Sequence, residues 1–277
     1  MAQKSILITG CSSGIGYCAA NELKKDGWRV FAACRKQADC DRLIAEGFAS
    51  PLLDYEDEKT IETAVDEVLK ATGGTLDAIF NNGAYGIPAL VEDLPTDALR
   101  AIFEANFFGW HALARRVMPV MRQQGHGRIV QCSSILGFIT LPFRGAYNAT
   151  KFAVEGLSDT MRIELDDTNI HIVLIEPGPV TSKIRQNSIP HFERWIDWES
   201  SALRDKYENG LRKRLYGEST PDPFELPPEA VVDRLRHALN SPRPRPRYYV
   251  TKPTYIMGFL KRILSTRALD KVLVKIS

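Results

Sequence analysis

The sequence predicts an α/β fold, a doubly wound parallel sheet in a single domain spanning residues 1–277. Three observations predict it. Short apolar runs alternate with helical patterns over the first two thirds of the chain, as right-handed βαβ units require. The runs are apolar throughout, as strands buried on both faces are. The first run ends in a glycine cluster that opens a helical pattern.

The elements follow in order. Ser5-Ile6-Leu7-Ile8-Thr9 is a buried strand, and Gly14 to Lys25 is a helix closed by Asp26-Gly27. Arg29 to Cys34 is the next strand. Ile61, Ala64, Val65, Val68 and Leu69 share one helical face, and Gly73-Gly74 closes that helix. Leu76 to Phe80, Arg128 to Cys132 and Ile170 to Ile175 are further strands, with a helix from about Gly145 to Leu165. After Pro177 the pattern breaks. Lys183 to Pro228 is polar and aromatic. Its Phe192, Trp195, Trp198, Tyr207 and Tyr216 predict a substrate lid rather than a disordered loop, because disordered segments are aromatic-poor. Glu229 to Leu239 is a helix, and Arg247 to Thr251 is a last strand.

Composition excludes several classes. The chain is 44% hydrophobic and 25% charged, as globular proteins are. The net charge of +2 argues against a nucleic-acid binder. No apolar run reaches the length of a membrane-spanning helix, and no signal peptide is expected ahead of the first strand. Cys11, Cys18, Cys34, Cys40 and Cys132 contain no C-x-x-C pair, and the five histidines are scattered. Neither a disulfide framework nor a metal site is expected, and a reducing cytoplasm is the default compartment.

The charge is uneven. Arg243 to Ser277 carries nine Lys/Arg against Asp270 alone, a net of +8, so the rest carries −6. Within residues 254–277, Ile256, Phe259, Leu260, Ile263 and Leu264 have helical spacing. Leu269, Val272, Leu273 and Ile276 repeat it after Ser265-Thr266, a new N-cap. A basic amphipathic segment of this kind packs on its own domain or a subunit partner, or touches an anionic membrane peripherally. Packing is the preferred reading, and a homo-oligomer is expected.

Ligands of such sheets bind at the carboxyl ends of the strands. There the first strand runs into Gly10, Cys11, Ser12, Ser13, Gly14, Ile15 and Gly16. Glycines let the backbone approach a pyrophosphate, and the helix opening there offers free N–H groups and a positive dipole end. A glycine cluster alone is only a tight turn; flanked by strand and helix it predicts nucleotide binding. The second strand ends in Arg35-Lys36 with no acid beside it, which suits a 2′-phosphate and favours NADP(H) over NAD(H). Asp39 and Asp41 follow closely and keep NAD(H) open.

A second constellation follows the Arg128 to Cys132 strand. Ser134 is joined to Tyr147 by a loop containing Gly137, Pro142 and Gly145, and Lys151 lies four residues on, on the same helical face. A phenol is a poor base near neutrality, and a close lysine cation would lower its pKa. A serine hydroxyl can hold the substrate oxygen while the tyrosine exchanges its proton.

Together these residues resemble the short-chain dehydrogenase/reductase family, with a Rossmann-type sheet. The match runs over Thr9 to Gly16, Asp54, Asn81-Asn82-Gly83-Ala84, Asn106, Ser134, Tyr147, Lys151 and Pro177-Gly178, from residue 5 to about 182. Tyr147 to Gly156 and Glu176 to Val180 resemble the branch of 17β-hydroxysteroid dehydrogenases, retinol dehydrogenases and bacterial NADP-dependent aldehyde reductases. The resemblance implies a role for each position. Tyr147 would be the general acid/base, with Lys151 lowering its pKa and holding the nicotinamide ribose. Ser134 would orient the carbonyl, and Asn106 would help hold a water in a relay to Lys151. Asp54, after a third strand, would contact adenine. Asn81 and Gly83 would line the cofactor cleft, and Pro177, Gly178, Val180 and Ser182 would face the nicotinamide. Two departures stand out: Gly83-Ala84 reverses the family's Ala-Gly, and Ser182 replaces its threonine.

The expected function is an NADP-dependent oxidoreductase that moves a hydride between nicotinamide and an apolar aldehyde, ketone or alcohol. The alternative is a non-catalytic nucleotide-binding sensor or scaffold on the same fold, which would not need the intact Ser134, Tyr147, Lys151 and Asn106 set. An isomerase or lyase using the same tyrosine is a third reading.

Overall fold

A computed structural model describes residues 3–218 and 222–276. Residues 219–221, within the expected lid, and Ser277, at the end of the basic segment, lie outside the described residues. Six parallel strands form one sheet in the order β2-β1-β3-β4-β5-β6. They are β1 (Ser5–Ile8), β2 (Arg29–Ala32), β3 (Ala78–Asn81), β4 (Gly127–Cys132), β5 (Ile170–Glu176) and β6 (Arg247–Tyr249). Ile6, Leu7, Ile8, Ile79, Phe80, Ile129 and Val130 are fully buried, which explains the unbroken apolar runs.

The chain runs outward from β1 to β2 and then crosses back to β3 on the other side of β1. Strand direction of travel therefore reverses between β1 and β3, where such sheets open a ligand crevice. Helices α1 (Gly14–Lys25), α2 (Gln37–Ala45) and α3 (Glu58–Thr72) serve the first half. Asp57 caps α3 by accepting the Lys59 N–H, and Gly73 ends it at φ 73°. Helices α4 (Thr96–Phe103) and α5 (Gly109–Gln124) are joined by a π-turn over Glu104–Phe108. Helix α6 (Gly145–Glu164) precedes β5.

The expected third strand before Asp54 is not a full strand. It survives as two isolated bridges, Phe31 to Ala49 and Cys34 to Leu52. The cause is Pro51, whose missing N–H leaves the Ala32 carbonyl without its ladder donor. The Ser50 hydroxyl fills that place at 2.6 Å, while the Ala32 N–H still reaches the Ala49 carbonyl at 2.8 Å.

Residues 183–218 fold into α7 (Ile184–Trp195), α8 (Arg204–Lys206) and α9 (Arg212–Tyr216), the last two joined by a π-turn over Tyr207–Leu211. They carry an apolar cluster of their own. Phe192, Ile196, Tyr207, Leu211 and Leu215 are buried against Tyr85, Ile87, Ile102 and Ala146. The Tyr207 hydroxyl donates to Asp93 at 2.7 Å and accepts the Leu90 N–H at 3.0 Å. Helix α10 (Glu229–Asn240) returns to the first half, where Arg236 donates to both Asp26 and Glu22 of the α1 end.

Helices α11 (Lys252–Ile263) and α12 (Thr266–Ile276) form the basic segment. Met257 and Leu273 pack with Ile139, and Leu260, Leu269 and Val272 close around them. The expected stripe on α11 is displaced, because Ile256, Phe259 and Ile263 stand exposed. Gly258 sets the buried face: a Cβ there would meet the Tyr249 ring at 2.6 Å, so only glycine permits this contact. No described helix is long and apolar enough to cross a membrane.

The Pro51 gap yields a test. Ser50→Ala strips the buried Ala32 carbonyl of its side-chain donor, which should cost about 1–3 kcal/mol of unfolding free energy. Urea titration of both proteins reads the loss, and a change within a few tenths of a kcal/mol would show that the hydroxyl is dispensable.

Candidate active site

A cleft of about 1860 Å³ runs across the carboxyl ends of the strands. Its floor begins at Gly10, which takes φ 67° and lies so close to the β3 end that a Cβ would meet Gly83 Cα at 2.6 Å. Gly16 does not line the cleft. It lets α1 approach β1, since a Cβ there would meet the Gly10 carbonyl at 2.4 Å. Ser12, Ser13, Gly14 and Ile15 do line it, together with Gly83, Asn82, Pro177, Gly178, Val180 and Ser182. Ser13 is the N-cap of α1, but its side chain makes no cap bond, so the first-turn N–H groups open toward the cleft. This glycine cradle at a helix N-terminus fits the pyrophosphate of a dinucleotide.

Arg35 and Lys36 are exposed on the cleft wall and take part in no ion pair among the described residues. The acids that follow them are engaged elsewhere. Asp39 stands 3.8 Å from Arg42, and Asp41 accepts from Gln37 at 2.8 Å. Asp54 lines the cleft, and its carboxylate accepts the Glu56 N–H at 3.1 Å. It does not cap α3.

Asn81 departs from expectation. It is fully buried, accepting from the Tyr55 hydroxyl at 2.6 Å and donating to Gln131 at 2.8 Å. Successive strand residues face opposite ways, so Asn82 is the one that reaches the cleft. Its amide donates to the Thr9 carbonyl at 3.1 Å. The doublet Asn81-Asn82 was visible in the sequence; which member faces the cleft depends on the strand register.

Ser134, Tyr147 and Lys151 meet in the same cleft. Ser134 accepts the Leu136 N–H at 3.1 Å and hydrogen-bonds the Tyr147 phenol. Asn148, which sequence reasoning left out, ties this loop to α6 by donating to the carbonyls of Leu136 at 3.0 Å and Ile139 at 2.8 Å. It therefore sets the distance from Ser134 to Tyr147. The Lys151 ammonium is buried, donates to the Cys132 carbonyl at 2.9 Å, and lies 4.1 Å from the Trp110 ring and 5.4 Å from the Tyr147 ring.

Burial dominates the protonation of this pair. Desolvation pushes the Tyr147 phenol above its ordinary value, with the Ser134 hydrogen bond opposing. The same effect pulls Lys151 down to about 8. The expected lowering of Tyr147 by Lys151 is thus overridden, because the cation faces the ring and is itself weakened by burial. At neutral pH the phenol is a proton donor. The Asn106 side chain is spent on the Tyr85 backbone, accepting its N–H at 3.1 Å and donating to its carbonyl at 2.8 Å, and it also reaches Thr150 at 3.4 Å. Asn106 thereby pins the loop after β3 to the π-turn.

Of the lid aromatics, Trp195 lines the cleft. Phe192 is buried in the lid's own cluster, and Trp198 lies 4.1 Å from the Arg212 guanidinium. Phe192 and Trp198 therefore hold the lid together, and Trp195 is the one of the three on the cleft. His191 and Arg194 of α7 also line the cleft, with His191 stacked 3.8 Å from Tyr85 and lowered to about 4 by burial and then by Arg35 and Arg194.

Residues 4–192 match the family described as short chain dehydrogenase. The chain belongs to that family. This short-chain dehydrogenase is accordingly an NAD(P)-dependent oxidoreductase acting on a CH–OH or carbonyl group. It is 42% identical to the oxidoreductase YbbO of Escherichia coli (strain K12) over 98% of this chain and 94% of that one. It is 30% identical to human 17-beta-hydroxysteroid dehydrogenase type 1, covering 91% and 79% of the two chains. It is 28% identical to the NADPH-dependent 3-dehydrocapnine reductase of Ornithobacterium rhinotracheale, covering 97% and 95%. The branch read from the Tyr147 and Pro177 stretches is the one these relatives occupy.

The lowered Lys151 predicts a pH dependence. Its charged form is lost as pH rises through about 8. Carbonyl reduction should decline with an alkaline limb near that value, and the limb should vanish from the residual activity of Lys151→Ala. A wild-type limb near 10 in the pH profile of kcat would show that burial does not control this lysine.

Proposed function

We propose that the protein is an NADP(H)-dependent reductase of apolar aldehydes or ketones, able to run backward on the corresponding alcohols. The observation that carries the reading is the meeting of Ser134, Tyr147 and Lys151 in the cleft that the α1 N-terminus opens. The nicotinamide supplies or accepts the hydride. Ser134 holds the carbonyl oxygen and Tyr147 delivers the proton to it. The raised phenol pKa keeps that proton in place at neutral pH and so favours reduction. Lys151 offers its charge to the ribose and to the phenolate as it forms. Pro177, Gly178, Val180 and Ser182 would wall the nicotinamide end, while Ser12, Ser13, Gly14 and Ile15 would hold the pyrophosphate.

The unpaired Arg35-Lys36 doublet supports NADP(H), since a 2′-phosphate supplies the partner the protein withholds. The relative from Ornithobacterium rhinotracheale, an NADPH-dependent reductase, agrees. An apolar substrate is supported by Ile139, Leu141 and Met257 on the wall and by Trp195 on the lid. The sensor reading is disfavoured by Lys151. Burying a cation without a carboxylate destabilises a fold, and a pure binder would not need it.

Two substitutions test the reading. Tyr147→Phe should fold and bind NADPH yet lose roughly 10²–10⁴-fold in kcat; near-native kcat on an aldehyde would remove Tyr147 from the chemistry. Arg35→Ala should weaken NADPH by on the order of tenfold and NADH little, because a charge-assisted bond contributes about 1.5–3 kcal/mol. Fluorescence titrations showing equal loss for both nucleotides would mean that Arg35 does not read the 2′ position.

A further inference from the structure

One charged feature of the cleft has no part in the chemistry above. Arg144 just before α6, Arg185 in the first turn of α7 and Arg214 in α9 all line its lid side. Three separate elements bring them together, so no local sequence pattern groups them. They are close enough to act on one another. Burial pulls Arg144 down to about 10, and Arg214 and Arg185 add to the fall. Burial and then Arg185 lower Arg214 as well.

Among the described residues none of the three forms an ion pair. Among the described residues the Arg144 guanidinium donates only to the neighbouring Phe143 carbonyl, at 3.3 Å. Two acids on that rim, Asp222 and Glu225, are turned to other work. Asp222 attracts Arg214 from a distance, but its carboxylate accepts the Phe224 N–H at 2.9 Å. Glu225 accepts the Thr181 hydroxyl at 2.6 Å and the Asp222 N–H at 3.2 Å. Elsewhere the protein neutralises its arginines readily: Arg247 contacts Glu155, Asp159 and Glu176. Three guanidiniums left without ion pairs in one cleft cost stability, and an arriving anion relieves that cost.

We infer that Arg144, Arg185 and Arg214 form an anion-binding subsite, and that the preferred substrate is an apolar carbonyl compound bearing an oxyanion group, a carboxylate or a phosphonate. The inference rests on the reductase reading above. Arg144 lies three residues before Tyr147, one helical turn away, so the anion is held beside the reacting carbonyl. Ile184, Ile256 and Met257 of the same wall take the apolar part. The cofactor's phosphates have their own partners at Ser12 to Ile15 and Arg35-Lys36. Guanidinium groups suit the remaining task because they grip oxyanions in a bidentate manner.

The test compares a medium-chain oxo-carboxylic acid, its methyl ester and the oxo-phosphonate of equal length as substrates with NADPH. The wild type should favour the acid over the ester by on the order of tenfold in kcat/KM, mostly through KM. That preference should shrink as salt is added. The double variant Arg185→Gln/Arg214→Gln should bring the ratio close to one, and Arg214→Lys should retain most of it. The better of the two anions assigns the class. Equal use of acid and ester by the wild type would overturn the subsite. So would a double variant that binds NADPH more weakly while keeping the ratio, since the arginines would then serve the cofactor. Should none of the three compounds be reduced, the reductase reading falls. Calorimetric titration of the acid into the wild-type and double-variant NADPH complexes then decides the subsite by itself: binding weakened by the substitutions upholds it, and equal or absent binding overturns it.

Discussion

The cleft depends on one buried hydroxyl. Thr9, at the end of β1, accepts the Asn82 N–H at 2.9 Å and the Gly83 N–H at 3.2 Å and hydrogen-bonds at 2.7 Å to the Tyr55 hydroxyl, whose own proton goes to Asn81. Three segments distant in sequence are fastened there: the glycine turn, the Asp54-Tyr55 segment and the loop after β3. Strands in the middle of a parallel sheet are held by their ladders, but the loops beyond their carboxyl ends are not. Leaving those loops untied would leave the cradle without a fixed shape. A buried network with every member satisfied gives rigidity that apolar packing cannot supply at a polar surface. Gly10 and Gly16 belong to the same arrangement, because any side chain at either would force the tied segments apart.

A second constraint is the burial of Lys151 in the catalytic corner. Trp110 fills the space beneath Lys151, and the indole N–H is itself tied to the Gly83 carbonyl at 2.9 Å. The corner that holds the proton donor is therefore coupled to the Thr9 knot through Gly83. Low polarity weakens the lysine's charge and strengthens the phenol's hold on its proton. Both effects favour donation over abstraction at neutral pH, which is the protonic half of a reduction. The cost is a lysine that would be more stable elsewhere.

The sheet and its helices were legible because their signals are local. Gly14 to Lys25 was read to the residue, and Gly73 ends α3 where the sequence placed it. The catalytic trio was legible because Tyr147 and Lys151 share a helix and Ser134 closes a strand. What failed needed information that sequence spacing does not hold. Pro51 sits in an otherwise good strand and removes one donor, which reduced the third strand to bridges. Asn81 and Asn82 exchange roles on a register of one residue. On α11 the buried stripe was misread because Gly258 gives no hydrophobic signal, yet it decides which face can approach Tyr249.

Charge placement in the cleft shows why burial and position must be read together. Arg35 and Lys36 stand at one end, and Arg144, Arg185 and Arg214 stand on the lid side. Arg42, Arg236 and Arg247 are paired with carboxylates on the body of the protein. The division does not follow from composition, since 36 cations and 34 acids would allow nearly every cation a partner. It follows from where the acids are used: Asp39 on Arg42, Asp222 and Glu225 on rim backbone and hydroxyl donors, and Glu155 and Glu176 beneath Arg247. Nine Lys/Arg against six Asp/Glu line the cleft, an excess that keeps a positive potential inside it. Low-dielectric walls focus that potential on whatever enters. On the proposed reading, an anionic group of the cofactor and one of the substrate would meet separate partners, with the uncharged reacting carbon between them at Tyr147.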